Sequence, residues 1–396
     1  MNVLFVTREY PPNVIGGIAI HTYNLVKHLE KIGVACKVIS FGDEKDSSED
    51  IIFVNPSSYI LEKGPASLSS TSRIPADIIR FSKIANKVIK ETKFDIIHVE
   101  EPYVGALIKN SSGSVQVSTF HDTSYGEIKS IVEDSINTSS IKRILFYVSL
   151  GFSFEFKCIN ASKMLFVPTP PVKKELIKIY KVPAEKIKIM RNGVVIPNHE
   201  NNLKKELAKK QLGLNPESIL IFSLARLVSR KRLDLLVKAI KVLQGEKLND
   251  FHVVIGGNGP EKPKIASLIK SCNVGDVIEM PGWLSEKQRN LYYQAADIFV
   301  LPSDYEGFPL TMLEAMSYGI AVVNSKIESL SNMRNEIDSL SFPPGEYLAL
   351  SDCIRKLLSD HSIRTQLSQS SLRFAKKYDW KDVARETLEL YKSLLI

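Results

Sequence analysis

Two doubly wound α/β domains are the fold that this 396-residue chain predicts, and three observations carry the prediction. Short β-branched runs alternate with longer helical patterns, which is the rhythm of βαβ units around a parallel sheet. The runs "NVLFV", "DIIHV" and "MLFVP" are nearly all apolar, as strands buried on both faces are. The rhythm also stops once, at the polar stretch "NHENNLKK" just after Pro197, and then restarts. This places a first domain at 1–197 and a second at 198–375, each of ordinary domain length.

In chain order, residues 3–6 form the first strand, 20–31 a helix by apolar spacing and 37–41 the next strand. Gly16 and Gly17 lie between that first strand and helix. They make either a turn or a phosphate loop, in which the helix end supplies free amides and the positive end of its dipole. A serine-rich loop is expected at 57–72, ahead of a helix starting near Pro75. On that helix Arg80, Lys83, Lys87 and Lys90 recur opposite Ile78, Phe81, Ala85 and Ile89, as a solvated face or one that lies on anionic lipid. Strands follow at 95–99 and 115–120, and His121 with Asp122 closes the latter. Open α/β sheets bind ligands at such carboxyl ends, although a lone histidine is also a common structural residue.

In the second half, strands are expected at 219–224, 252–255, 277–280 and 298–301, with a helix at 233–243. Arg226 stands just beyond the first of these strands and Lys231 at the start of the helix, where two cations can clamp a diphosphate. Arg230 and Arg232 crowd the same loop, so charge alone does not assign the role. The run "GGNGP" at 256–260 fails the dinucleotide pattern, with Lys262 where a third small residue belongs, and this disfavours a nicotinamide dehydrogenase. After the strand 298–301, Glu306 sits in a loop and Glu314 on the following helix. Between them the amides of Gly307, Phe308, Leu310 and Thr311 can face an anion or sugar hydroxyls, whereas Pro309 has none to donate. Two glutamates at this spacing are common by chance.

Composition removes whole classes. With 44% hydrophobic residues, 20 Gly and 19 Pro, the chain is neither disordered, collagenous nor a solenoid. A net charge of +8 admits nucleic acid, anionic membrane or a phosphorylated small molecule. The tightest basic run, Lys204, Lys205, Lys209 and Lys210, has no aromatic interleaving and reads as a solvated helix face, so no nucleic-acid partner is expected. Cys36, Cys158, Cys272 and Cys353 form no C-x-x-C pair and have no histidine near them in sequence, which fits a reducing cytoplasm and argues against a zinc site. The first residues read as a buried strand, not a signal peptide. The apolar stretch 144–154 is interrupted by serines and a glycine and is too short to span a bilayer, which takes about 20 residues. No Walker A, H-E-x-x-H or Asp-x-Asp motif occurs, and neither a metal nor a cofactor is expected.

Together these motifs resemble the retaining glycosyltransferases of family 4, also called glycosyl transferases group 1. The Gly16–Gly17 loop, "FDIIHVE", "STFHD" and "RNGV" fit the family's N-terminal half. In the second half "ARLVSRKRLDLLVKA", "IGGNGP", "MPGWLSEKQRNLYYQAAD" and the E-x7-E motif from Glu306 to Glu314 follow in the family's order. The resemblance implies the GT-B architecture, two doubly wound domains facing across a cleft, with 376–396 as a C-terminal helix crossing back to the first domain. It implies transfer of a sugar from a nucleotide diphosphate sugar to an acceptor hydroxyl, with the anomeric configuration retained. Arg226 and Lys231 match the pair on the donor diphosphate, Glu314 the residue on the ribose, and Glu306 and His121 the residues bracketing the sugar. Gly16 and Gly17 match the loop over the phosphates, Gly257 belongs to a donor-side loop, and the backbone near Trp283 matches the base-recognition turn.

Two residues depart from the family pattern: Ala225 and Arg232 stand where glycine is usual, and an Arg232 unable to take up glycine's conformation would shift the Lys231 clamp. The expected acceptor is a glycan or lipid-linked glycan, with the enzyme in the cytoplasm and peripheral on the anionic inner face of the cell membrane. A GT-B sugar-nucleotide epimerase and a catalytically silent nucleotide-sugar binder are the competing readings.

Overall fold

The computed structural model describes residues 1–14, 16–56, 74–110, 113–133, 141, 144–198, 203–246 and 250–396. The serine-rich loop expected at 57–72 and residues 199–202 of the polar linker lie outside the described residues. The chain divides into two units, Met1–Gly193 with Trp380–Ile396, and Val194–Asp379. These divisions fall four residues before the 197/198 boundary and four after the 375/376 boundary read from the sequence. The physical reason is a pairing no local pattern announces. The Val194 amide donates to the Tyr378 carbonyl at 2.7 Å and Val194 bridges Asp379, so both short segments join the second unit.

Unit 1 contains β1 (Asn2–Val6), α1 (Gly17–Glu30), β2 (Ala35–Phe41), β3 (Ile51–Val54), α2 (Ile74–Glu91), β4 (Ile96–Val99), α3 (Pro102–Gly105), β5 (Val115–Thr119), α4 (Ser124–Glu133), α5 (Phe152–Ala161), β6 (Met164–Val167), α6 (Pro170–Lys178) and β7 (Ile187–Ile189). Its seven strands are all parallel, in the order β3-β2-β1-β4-β5-β6-β7. Val3, Leu4, Phe5 and Val6 are all buried, which is why β1 shows no polar alternation. The strand order reverses between β1 and β4, so the loops after these two strands diverge and leave a crevice at their carboxyl ends.

The C-terminal helix, Trp380–Leu395, belongs to this unit. Trp380, Val383, Ala384 and Tyr391 pack with Leu25, Val26 and Leu29 of α1 in one core. A Cβ on Gly193 would overlap the Trp380 indole, so the glycine of "RNGV" allows the helix to dock.

Two expectations need correction here. The serines and glycine at 144–154 do not end a helix: residues Ile144–Ala161 form one helical run with a π turn at Tyr147–Gly151. By length and composition this run, of mean hydropathy 1.2, suffices to cross a bilayer, and 39% of it is buried in the unit. Ser149 stays helical by donating to the Leu145 carbonyl at 2.7 Å. Glu155 is buried, accepts from the Ser124 amide at 2.7 Å and from the Tyr180 hydroxyl, and is raised by burial to about 7, which is how a core helix is anchored. The basic face of α2 is also partly neutralised, since Arg80 pairs with Glu44 at 3.0 Å and Lys87 with Glu91 at 3.9 Å. Its opposite face, Ile78, Phe81, Ala85 and Ile89, is buried as the spacing requires.

Unit 2 contains α7 (Lys205–Gln211), β8 (Ile219–Leu224), α8 (Leu233–Gly245), β9 (Phe251–Gly256), α9 (Lys262–Cys272), β10 (Ile278–Gly282), α10 (Glu286–Ala295), β11 (Ile298–Leu301), α11 (Leu310–Ser317), β12 (Ala321–Ser325), β13 (Leu340–Phe342), α12 (Tyr347–Ser359) and α13 (His361–Ala375). The six strands are parallel in the order β10-β9-β8-β11-β12-β13, with the reversal between β8 and β11. The basic run on α7 is not simply solvated. Lys209 is buried, donates to the Ser218 carbonyl at 2.7 Å and pairs with Asp297 at 2.7 Å, and Lys205 pairs with the same carboxylate at 2.9 Å.

Candidate functional site

In unit 2 the strand order brings the loop after β8 and the loop after β11 to the same switch point, and these loops carry Arg226, Lys231 and Glu306. Lys231 Nζ donates to Glu306 Oε1 at 2.6 Å and Oε2 at 2.7 Å, and the Ser303 hydroxyl donates to Oε1 at 2.5 Å. Glu306 is 4% exposed. Burial alone would raise its carboxyl, but the charges of Lys231 and Arg230, with the Lys231 and Ser303 hydrogen bonds, outweigh burial and hold it below the usual range. The ammonium thus faces both oxygens of the Glu306 carboxylate. Arg226 is exposed on the same loop.

The two family departures are absorbed by the backbone. Arg232 takes the left-handed conformation at φ 49, ψ 39 that glycine would favour. Its guanidinium bonds Asp234 at 3.1 Å and Asp304 at 2.9 Å, and the Asp304 amide donates to the Arg230 carbonyl at 2.9 Å. These contacts offset a left-handed cost of about 1–2 kcal/mol for a side chain-bearing residue. Ala225 is absent from the residues with positive φ, so its methyl is tolerated. Its amide donates to Gly256, Leu227 donates to Asn258, and Gly257 donates to Gly282. The loops after β8, β9 and β10 are thereby tied together. Gly257 has φ +119, and a Cβ there would overlap the Ala225 carbonyl oxygen.

Glu314 is held by α10: Tyr293 donates its hydroxyl to Oε2 at 2.8 Å, and Arg289 lies 3.9 Å from the same oxygen. Trp283 follows β10 with 72% of its surface exposed. At the start of α11 the Leu310 amide donates to the Phe308 carbonyl at 3.0 Å, so this one of the four expected amides has an internal partner. The Phe308 ring lies 5.7 Å from that of Tyr378 in the core of the unit.

Unit 1 presents a second polar group at the carboxyl ends of β4 and β5. Gly16 caps α1 and its amide donates to buried Glu9 at 2.8 Å, so a carboxylate already faces the helix end expected to meet phosphate; Gly17 is exposed beside it. His121 Nε2 lies 3.0 Å from Glu100 Oε2. His21 and His98 crowd the same carboxylate, with Nε2 atoms 3.8 Å and 3.6 Å from its oxygens. Ligand atoms of His21, Glu100 and His121 all lie within 4.8 Å of one another, and two imidazoles with a carboxylate are a donor set that can hold a zinc-class ion.

Two family models cover most of the chain. The one described as Glycosyltransferase Family 4 matches residues 15–196, and the one described as Glycosyl transferases group 1 matches residues 204–373. The chain belongs to glycosyltransferase family 4. An uncharacterised glycosyltransferase of Methanocaldococcus jannaschii is 26% identical over 99% of this glycosyltransferase and 98% of its own length. A second relative, the N,N'-diacetylbacillosaminyl-diphospho-undecaprenol alpha-1,3-N-acetylgalactosaminyltransferase of Campylobacter jejuni, is 31% identical over 63% of each chain. The solved structure of Anabaena HepE in complex with UDP and glucose has a TM-score of 0.73 at 15% identity, covering 99% of this chain and 100% of that one. Such likeness establishes the GT-B fold for both parallel-sheet units, and the enzyme is a transferase of sugars.

Sequence reasoning named Arg226, Lys231, Glu306 and Glu314 as candidates but not the residues the structure packs against Glu306 and Glu314. Arg289 and Tyr293 are four apart on α10, a spacing that puts both on one helical face toward Glu314. His98 and Glu100 are two apart along an extended segment, which sends both side chains to one side. Both signals were present in the sequence. Ser303 had none, because its place is fixed only by the loop's return toward β8.

Proposed function

We propose that the glycosyltransferase moves a sugar from a nucleotide diphosphate sugar to an acceptor hydroxyl with the anomeric configuration retained. The observation that carries this is the buried Lys231–Glu306–Ser303 group at the β8/β11 switch point. Negative charge grows on the leaving diphosphate as the glycosidic bond breaks. Lys231, Arg226 and the amides at the start of α11 are the preorganised donors that meet it, so this reading needs no metal at the diphosphate. Glu306 acts by holding the Lys231 ammonium in place. Glu314 has an oxygen to spare after Tyr293 for a ribose hydroxyl, and exposed Trp283 marks the turn that faces the base. His121 is the residue for a hydroxyl of the transferred sugar. The UDP and glucose held by Anabaena HepE support a nucleotide-sugar donor.

The acceptor in this reading is a glycan carried on lipid, and the enzyme works in the cytoplasm against the anionic inner face of the membrane. The undecaprenol-linked substrate in the name of the Campylobacter jejuni relative supports it. Unit 1 also exposes Val132, Leu145, Val148 and Phe156, and Lys83 and Lys90 lie on the exposed side of α2. Vesicles of anionic lipid at low salt should therefore sediment the protein, and protein left in the supernatant removes the membrane part of the reading.

The test of the donor is a thermal-unfolding panel of nucleotides and nucleotide sugars, each with and without chelator. One nucleotide sugar is expected to raise the melting temperature, chelator leaving the rise intact, and to be consumed when acceptor is present. Epimerised donor would favour the epimerase, binding without turnover a silent binder, and a rise abolished by chelator would overturn the metal-free clamp.

A further inference from the structure

Glu100 takes no part in the transfer reading above, yet it is fully buried and ringed by histidines. Its ion-pair partners among the described residues are His21, His98 and His121. An isolated carboxylate is costly to bury, so its neighbours must be arranged as donors toward it. The three imidazole rings are the groups arranged around it. An ionised carboxylate only accepts hydrogen bonds.

That fixes the proton on His121. Its Nε2 lies 3.0 Å from Glu100 Oε2, so Nε2 carries the hydrogen, and in the neutral ring Nδ1 is left as an acceptor. His121 is also the ring with access, its side chain 12% exposed against 1% for His21 and 0% for His98.

His98 is oriented by a longer chain of contacts. Its Nδ1 meets the Tyr391 hydroxyl at 2.5 Å, and its Nε2 meets the Thr119 hydroxyl at 2.6 Å and lies 3.6 Å from Glu100 Oε1. Each ring nitrogen is thus held by a hydroxyl, one from the C-terminal helix and one from β5, and the ring packs against the Glu100 carboxylate. Tyr391 lies on the C-terminal helix, whose Trp380 also packs edge-on against His21 at 5.2 Å.

We propose that Glu100 is a positioning residue of the transfer site: it locks His121 as the Nε2–H tautomer so that Nδ1 accepts a hydroxyl of the substrate, and the C-terminal helix, through Tyr391, fixes the His98 ring that packs against Glu100. The proposal rests on the reading of His121 as the sugar-facing residue. A bare imidazole interconverts its tautomers, and the other one would present an N–H where the substrate hydroxyl's proton needs an acceptor. Glu100 removes that loss before substrate arrives.

The test is nitrogen-15 spectroscopy of the full chain labelled at histidine, with His121→Gln assigning its ring. The wild type is expected to show His121 as the Nε2–H tautomer. In Glu100→Gln the amide donates as well as accepts, so the His121 signals should move toward mixed tautomers while transfer falls about tenfold, the equivalent of one lost charge-assisted hydrogen bond. Tyr391→Phe keeps the ring packing and removes only the hydroxyl. It should shift the His98 signals and lower transfer by a smaller factor, and it carries the test if Glu100→Gln fails to fold. The proposal is overturned by an Nδ1–H tautomer in the wild type, by an unchanged His121 spectrum in Glu100→Gln, or by a changed spectrum with wild-type transfer. Zinc that bound tightly and displaced the Nε2 proton would also overturn it, making the cluster a metal site. The spectra need no substrate, so a wild type with the expected tautomer and no sugar transfer would sink the function reading and leave the Glu100–His121 bond standing.

Discussion

Lys231→Met should reduce sugar transfer by about 10²–10³-fold, the loss typical of removing one preorganised donor from developing charge. The same change should destabilise the protein by about 3–5 kcal/mol, because Glu306 is left charged in a site where it is 4% exposed. The two effects can be separated by a second replacement. Lys231→Met combined with Glu306→Gln leaves no buried charge, so most of the lost stability should return, whereas transfer should stay low because nothing then meets the diphosphate. Thermal unfolding and initial rates on the two single variants and the double variant make the comparison. Recovery of transfer in the double variant would remove Lys231 from the donor clamp.

The pH dependence follows with opposite signs in the two proteins. In the wild type the Glu306 carboxyl is held below its ordinary value by Lys231 and Arg230, against burial. Its contribution to stability is therefore present above the ordinary carboxylate range and is lost as pH falls through the lowered value. In Lys231→Met burial is no longer outweighed, so the carboxyl binds a proton more tightly folded than unfolded. The variant should gain stability on acidification from neutral pH toward about 5, where the folded form takes up that proton first. The gap between the two melting temperatures should accordingly narrow as pH falls over that window. A gap independent of pH would mean that Glu306 is not the group left exposed to the loss.

The candidate clamp residues could be named from sequence because they are local: Arg226 and Lys231 follow one strand, Glu306 and Glu314 follow another, and each strand is a plain apolar run. What makes the parts a site is non-local and left no such mark. Arg232 appeared in the sequence as a threat to the loop, since only the folded chain brings Asp304 round to bond its guanidinium and stabilise the left-handed turn. The division at 193/194 was obscured in the same way, by the pairing of Val194 with residues 378 and 379. Glu100 shows the limit most sharply. Its neighbours come from α1, β4 and the segment after β5, and an alternating "HVE" in a buried strand looks like core until those three elements meet.

Gly257→Ala should be the most damaging small change in unit 2. At φ +119 the residue lies in backbone space that a side chain rarely enters, and the added methyl would overlap the Ala225 carbonyl oxygen, which is backbone and cannot rotate aside. Either the β9 loop or the Ala225–Leu227 segment must move, and both are tied by the hydrogen bonds from Ala225 to Gly256 and from Leu227 to Asn258. A loss of roughly 3 kcal/mol or more is expected from strain combined with two disrupted backbone bonds. Because Arg226 lies within the displaced segment, nucleotide-sugar binding should weaken by a larger factor than stability alone explains at temperatures where the variant remains folded. Gly245→Ala is the matched control, since a Cβ there meets nothing within 4 Å and the position ends α8, so it should be neutral or slightly stabilising. Calorimetry of donor binding on both variants below their melting temperatures decides the matter. Equal affinity in Gly257→Ala and wild type would show that the β8 loop holds the donor without help from its neighbour, and the tie between the loops would then be structural alone.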